Sequence, residues 1–207
     1  MPKNQWRFEV LNPEISRKLI HLFALVIPIL YYIIPSHTWS VIILLISTVI
    51  FLTVDFLRLH LNPIKGIFII LFGSLLRRKE FSSLTGGSYL LLASLATLLI
   101  FNDTPGVFIA AISFLSIGDT AAAIVGLAVG RIKVFHKSLE GSLAGLIGCL
   151  IVAYIVSILP DKNLPFRIAL WGAVAATVVE ALPIEVNDNV VIPILSATVM
   201  QLVKTLT

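Results

Sequence analysis

The stretch PGVFIAAISFLSIGDTAAAIVGLAVG, residues 105–130, is apolar or small almost throughout, and Asp119 is its one charged residue. Counted from Val107, the run exceeds the roughly 20 residues needed to cross the hydrocarbon core of a bilayer. Asp119 falls near its middle. A carboxylate at that depth is costly and by default marks a functional interior, so it is read as catalytic or metal-binding. Gly118 and the small run Thr120–Ala123 let a second helix or a ligand come close.

The rest of the chain has the same character. Of its 207 residues, 58% are hydrophobic and only 13% charged, and the mean hydropathy is +1.02. Soluble chains carry about 25% charged residues. Apolar runs near 18–34, 38–57, 88–101, 107–129, 141–159, 166–183 and 189–205 predict an all-α polytopic membrane bundle of about seven spans. A shorter piece at 64–76, flanked by Pro63 and LLRRKE, predicts a re-entrant or interfacial helix. Short connections such as FNDTPG and PDKNLP punctuate the runs, which points to a single domain over 1–207. The first run lacks a small-residue cleavage site, so no signal peptide is expected. Cys149 is the only cysteine, has no disulfide partner within the chain, and is read as packing.

Charge sets the expected orientation. With the N-terminus inside, the inner segments hold Lys3, Arg7, Arg17, Lys18, Arg58, Lys65, Arg77, Arg78, Lys79, Arg131, Lys133 and Lys137, leaving only Lys162, Arg167 and Lys204 outside. Short basic loops stay cytoplasmic. This bias explains the basic total without a nucleic acid partner, and it predicts a site at the cytoplasmic face. The oligomeric state is left open.

Most of the unusual polar groups gather at that inner face. Arg17 and Lys18 lie four and three positions before His21, so either shares a helix face with it; a headgroup anchor is the simpler explanation. Asp55 and Arg58 are spaced for an intrahelical ion pair. After Asp119 come Gly126 and Gly130 at the helix end, the cations Arg131, Lys133 and Lys137, then His136 and Glu140. This inventory suits a polyphosphate, with magnesium held by carboxylates. No Walker sequence and no protein-kinase motif is present. Glu180, Glu185 and Asp188 crowd around LPI at 182–184; helix capping accounts for Asn187 or Asp188 but not for all of them.

GDTAAAIVGLAVGRIKVFHKSLEGSLAG at 118–145 resembles the signature of the membrane-bound CTP-dependent lipid-alcohol kinases, which include dolichol, phytol and farnesol kinases and a CTP-using diacylglycerol kinase. SRKLIHL at 16–22, VDFLR at 54–58, LTGGSYLLLA at 84–93 with Gly86 and Gly87, and EALPIEVNDNVVIPILSA at 180–197 resemble its other blocks in order. The resemblance implies transfer of the CTP γ-phosphate to a membrane lipid alcohol, a polyprenol or other isoprenoid, in the lipid bilayer with Mg2+. It implies a nucleotide-binding signature within 118–145 and an acidic block at 180–189. It assigns Asp119, Lys137, Glu140 and Asp188 to catalysis, with Asp119, Glu140 and Asp188 also on the metal. Gly118, Gly126, Gly130, Arg131, Lys133, His136, Ser138 (threonine in many members), Lys18 and Asn189 would contact the nucleotide. Arg17, His21, Asp55, Arg58, Gly86, Gly87, Glu180 and Glu185 are further candidates. A diacylglycerol kinase using CTP is kept as an alternative within the family, and two readings are kept outside it. A lipid-phosphate cytidylyltransferase uses the same CTP but releases pyrophosphate, and its paired acidic signature near the C-terminus is not matched. A small transporter should show paired discontinuous spans or an internal repeat, and neither is evident.

Overall fold

The computed structural model describes Lys18, residues 21–135 and residues 137–207; Arg17 and His136, both expected at the site, lie outside the described residues. The chain forms helices α1 (His21–Ile33), α2 (His37–His60), α3 (Asn62–Leu75), α4 (Gly86–Ile100), α5 (Pro105–Val129), α6 (Leu139–Ser157), α7 (Phe166–Ala181) and α8 (Asp188–Leu206). A two-stranded hairpin, β1 (Lys133–Val134) with β2 (Lys137–Ser138), joins α5 to α6.

Among the described residues four helices, α2, α5, α6 and α8, are long and apolar enough to cross a membrane. The chain is therefore an all-α integral membrane bundle, but the expected seven spans are corrected to four. The reason lies in helix length. Thr85 accepts from Ser88 N and starts α4, so that helix has 15 residues and reaches only about 22 Å. α7 has 16 residues, and α1 is interrupted by a turn at Ala24–Leu25.

α5 is the hub. In its most apolar window 78% of residues are buried, against 22% in α2, whose Ile46, Val49 and Ile50 face outward. Phe108, Ile112, Phe114 and Leu115 of α5 join Ile192 and Met200 of α8 and Ala169 and Ala173 of α7 in one core. Within α5, Phe114–Gly118 forms a π-turn immediately before Asp119. The Cys149 thiol points at the Phe114 carbonyl of that turn, 3.8 Å away.

The α5–α6 seam is built from small residues. A Cβ on Gly141 would lie 2.6 Å from the Ala122 carbonyl, and one on Gly145 would lie 3.1 Å from the Gly118 carbonyl. Such close backbone approach is how helices associate in lipid, where no hydrophobic gain separates helix from acyl chain. Gly118 is tighter than either, since its Cβ would stand 2.5 Å from Cys149 Sγ. Gly118→Ala is expected to destabilise the protein by about 1–3 kcal/mol through overpacking, read as a lowered thermal midpoint in detergent. Adding Cys149→Ala should recover most of the loss; if it does not, the sulfur is not the obstacle.

Alternating helices put the polar groups at one end. There α2, α5 and α7 finish and α4, α6 and α8 begin. At the other end the Lys162 ammonium donates to the carbonyls of Tyr31 and Ile34 at the close of α1, and Lys204 donates to Thr104. The chain enters and leaves α3 at the polar end, because Arg58 of α2 reaches the Glu80 and Ser83 carbonyls beyond it.

Candidate active site at one end of the bundle

Two charge clusters meet around Asp119. In the first, the carboxylate pairs with the Lys18 ammonium, both groups buried, and His21 Nε2 stands 3.5 Å from the same oxygen. Thr120 Oγ1 also lies 3.5 Å from the Lys18 carbonyl. The cost of a carboxylate deep in α5 is thus offset by a cation from a distant part of the chain. The sequence spacing brought Lys18 and His21 to one face; the structure turns that face onto Asp119.

In the second cluster, Lys137 Nζ on the hairpin donates to Glu180 Oε1 of α7 at 2.5 Å and lies 3.6 Å from Asp188 Oδ2 at the start of α8. Burial opposes the charge on Lys137. The hydrogen bond and charge of Glu180, with the charges of Asp188 and Asp119, outweigh it and hold its pKa above the ordinary lysine value. Lys137 is therefore a fixed cation throughout the neutral range. Asp119 and Glu180 also line one small cavity against Gly145 and Cys149. The second Glu180 oxygen, Oε2, is buried with no hydrogen-bond partner among the described residues.

A larger chamber of about 520 Å³ opens on Asp119, Lys18 and His21. Its body is apolar, walled by Ala24, Ile27 and Tyr31 of α1, Leu44 and Phe51 of α2, Phe68 and Phe72 of α3, and Leu90 of α4. Arg77, Glu80, Gly86 and Asn189 complete its polar rim.

The rim is held rigidly. Asp55 Oδ1 accepts from Arg58 Nε, while Oδ2 accepts from Thr85 N, Thr85 Oγ1 and Ser88 Oγ. Arg58 donates onward to the Glu80 and Ser83 carbonyls. Asp55 and Arg58 thus brace the 77–88 segment. Glu80 accepts from the Arg77 and Gly86 amides, and Asn189 Nδ2 donates to the Gly86 carbonyl at 2.8 Å. Gly86 must be small here, since a Cβ would meet Asn189 Nδ2 at 2.8 Å; on Gly87 it would meet Phe51 at 3.0 Å. Sequence reasoning passed over Glu80, Thr85 and Ser88. The signals were available in Arg77-x-x-Glu80 and Thr85-x-x-Ser88, both with N-cap spacing.

Other expected residues lie apart. Glu140 is half-buried on the first turn of α6, where its oxygens accept from Ile132 N at 3.2 and 3.3 Å and fasten the hairpin. Among the described residues no three His, Cys, Asp or Glu side chains gather as a metal site, so Asp119, Glu140 and Asp188 do not form the expected trio. Gly126 and Gly130 face Ser138, whose Oγ caps α6 by accepting from Gly141 N; in the structure these three are seam residues. Arg131, Lys133 and Glu185 are exposed.

A membrane bundle with an apolar chamber ending on paired cations and carboxylates is the architecture of a protein that brings charged groups to a lipid within the bilayer. More specifically, the chain belongs to the cytidylyltransferase family, whose profile matches residues 6–199. It is also similar to an uncharacterized protein of Rickettsia prowazekii (strain Madrid E), with 28% identity over 186 residues covering 87% of this chain and 90% of the relative. No solved structure matches it. The family match overturns the expected lipid-alcohol kinase: the enzyme class it supports is a CTP-dependent cytidylyltransferase. The confusion has a chemical origin. Both reactions ask for cations, carboxylates and glycines around the same triphosphate, and they differ in which phosphorus is attacked.

Proposed function

We propose that the protein transfers the cytidylyl group of CTP to a membrane lipid phosphate and releases pyrophosphate. The observation that carries this reading, beside the family, is the apolar chamber that ends on Asp119, Lys18 and His21. It offers a lipid tail and a phosphate adjoining places.

In the proposed reaction an oxygen of the lipid phosphate forms a bond to the α-phosphorus of CTP. The bond from that phosphorus to the α–β bridging oxygen breaks, and its electron pair leaves with pyrophosphate. A phosphate monoester, with a second pKa of about 6, is already an anionic nucleophile at neutral pH. No side chain has to remove a proton, which suits a cluster whose carboxylates are all engaged with cations. The difficulty is instead to bring anions together. Lys137 and Lys18 answer it by offsetting negative charge on the two phosphates and on the departing pyrophosphate. Asp119 keeps the Lys18 ammonium in place.

The donor set fits Mg2+, since Glu180 Oε2 is a buried carboxylate oxygen without a partner and Asp188 shares its lysine. Glu180 and Asp188 would hold the ion, which when bound neutralises triphosphate oxygens and eases loss of the leaving group. Glu180 thus takes the place first given to Glu140. We treat the chain as one catalytic unit in which 118–145 and 180–189 supply the charged groups. We take the polar end, where basic side chains concentrate, as the cytoplasmic one, in keeping with the tendency of short basic loops to stay inside.

Purified protein would be given phosphatidate or a polyprenyl phosphate in detergent with Mg2+ and CTP labelled at either the α- or the γ-phosphate. The expected result is α-label in the lipid, none from the γ-position, and one pyrophosphate released per lipid converted. Appearance of γ-label in a lipid with CDP as co-product would overturn the reading.

A further inference from the structure

The cations around the chamber are not equivalent. Lys18 is buried against Asp119. Lys137 is held by Glu180 and Asp188. Arg58 is enclosed by Asp55 and two carbonyls. Arg77 differs: it lines the chamber, it is exposed, and no carboxylate forms an ion pair with it among the described residues. Glu80, the acid nearest to it along the chain, gives both oxygens to backbone amides, one of them that of Arg77 itself. The main chain is thereby fixed while the guanidinium is left unneutralised. Its position is set further by Arg58, which holds the Glu80 and Ser83 carbonyls, and by Asp55, which holds Thr85 and Ser88 on either side of Gly86.

We propose that Arg77 is the residue that receives the phosphate headgroup of the lipid substrate at the rim of the chamber. The inference deepens the cytidylyltransferase reading and rests on it for the identity of the substrate. A guanidinium presents paired N–H donors in one plane and binds a phosphate through two charge-assisted hydrogen bonds. The apolar body beside it accepts the tail, so the site discriminates a lipid phosphate from the same lipid with a free hydroxyl. Arg78 and Lys79 follow in sequence and are exposed, but they do not line the chamber. They attract anionic surfaces in general, which makes Arg78 the matched control for charge alone.

The test is direct binding to the full chain in detergent without CTP, using a long-chain alkyl phosphate, the matching alkyl alcohol and inorganic phosphate as probes. The alkyl phosphate should bind roughly tenfold or more tightly than the alcohol, a preference that Arg77→Gln removes and Arg77→Lys keeps in part. Alcohol binding should be the same in Arg77→Gln and the unaltered protein, showing an intact chamber. Arg78→Gln should behave as the unaltered protein, and inorganic phosphate should not displace the alkyl phosphate at equal concentration. The proposal fails if Arg77→Gln keeps the preference, if Arg78→Gln loses it equally, or if inorganic phosphate competes on equal terms, which would indicate a site for free phosphate. Because the readout is binding, absence of cytidylyl transfer in the labelled-CTP assay would count against the proposed reaction and not against this headgroup site.

Discussion

Asp119→Asn is expected to lower kcat/KM for cytidylyl transfer by at least about 10²–10³-fold, the loss typical when one preorganised electrostatic group is removed from an active site. It should also destabilise the bundle. Breaking a buried ion pair by removing one partner costs about 3–5 kcal/mol, because the surviving charge stays in a poorly solvated place. Here that charge is Lys18, buried against α5. Pairing Asp119→Asn with Lys18→Met separates the two effects. The double variant should regain thermal stability in detergent while activity stays low, since it restores neutrality but not the held ammonium. Full recovery of activity along with stability would mean that the pair only holds the fold together, and the catalytic assignment would fall.

Asp55→Ala should be the most damaging change outside the charged cluster, again by about 3–5 kcal/mol. Removing the carboxylate strands Arg58, which is almost completely buried, and takes an acceptor from Thr85 N, Thr85 Oγ1 and Ser88 Oγ together. The loop from Arg77 to Gly86 would lose its brace to α2. Thermal unfolding and limited proteolysis within 77–86 would report both consequences. Replacing Asp55 and Arg58 together by Leu and Met should be far milder than Asp55→Ala, since neither charge is then left alone. A double variant as unstable as the single one would show that the hydrogen bonds to α4 carry the effect.

What could be read from the sequence divides along physical lines. Asp119 stood out in the sequence, because hydropathy is a local property and a charge within an apolar run is conspicuous, and the structure buries it within α5. Pairing across the chain was not. Lys18 looked like a headgroup anchor, and nothing local says that it lies against a residue 101 positions later. Asp55 and Arg58 were legible as a pair because they are three apart, yet their role as a brace depends on Thr85 and Ser88, which only tertiary packing brings near. Glu140 shows the opposite limit: it is close to Lys137 in sequence, but it accepts from Ile132 N while Lys137 reaches Glu180, 43 residues away. The number of spans was overread because short apolar runs were counted as spans: the run at 88–101 folds as a helix of only 15 residues. The residue types pointed to a polyphosphate, and the resemblance of the motif blocks implied CTP and a lipid; the acceptor atom was misread, because neither says where an attacking oxygen sits.

The π-turn at Phe114–Gly118 gives the central helix one more residue in a turn than an α-helix holds. Each residue of an α-helix advances about 100° around the axis. Excising one residue, such as Ser116, would let the turn relax with the halves still in register, but winding all of its residues as regular α-helix would put the halves out of phase by about that angle. If the half packed against α7 and α8 kept its place, Asp119 would swing away from Lys18 and the glycine seam would rotate off α6. The insertion works as a phase shifter, letting a single helix satisfy a dense hydrophobic centre with one half while aiming a carboxylate with the other.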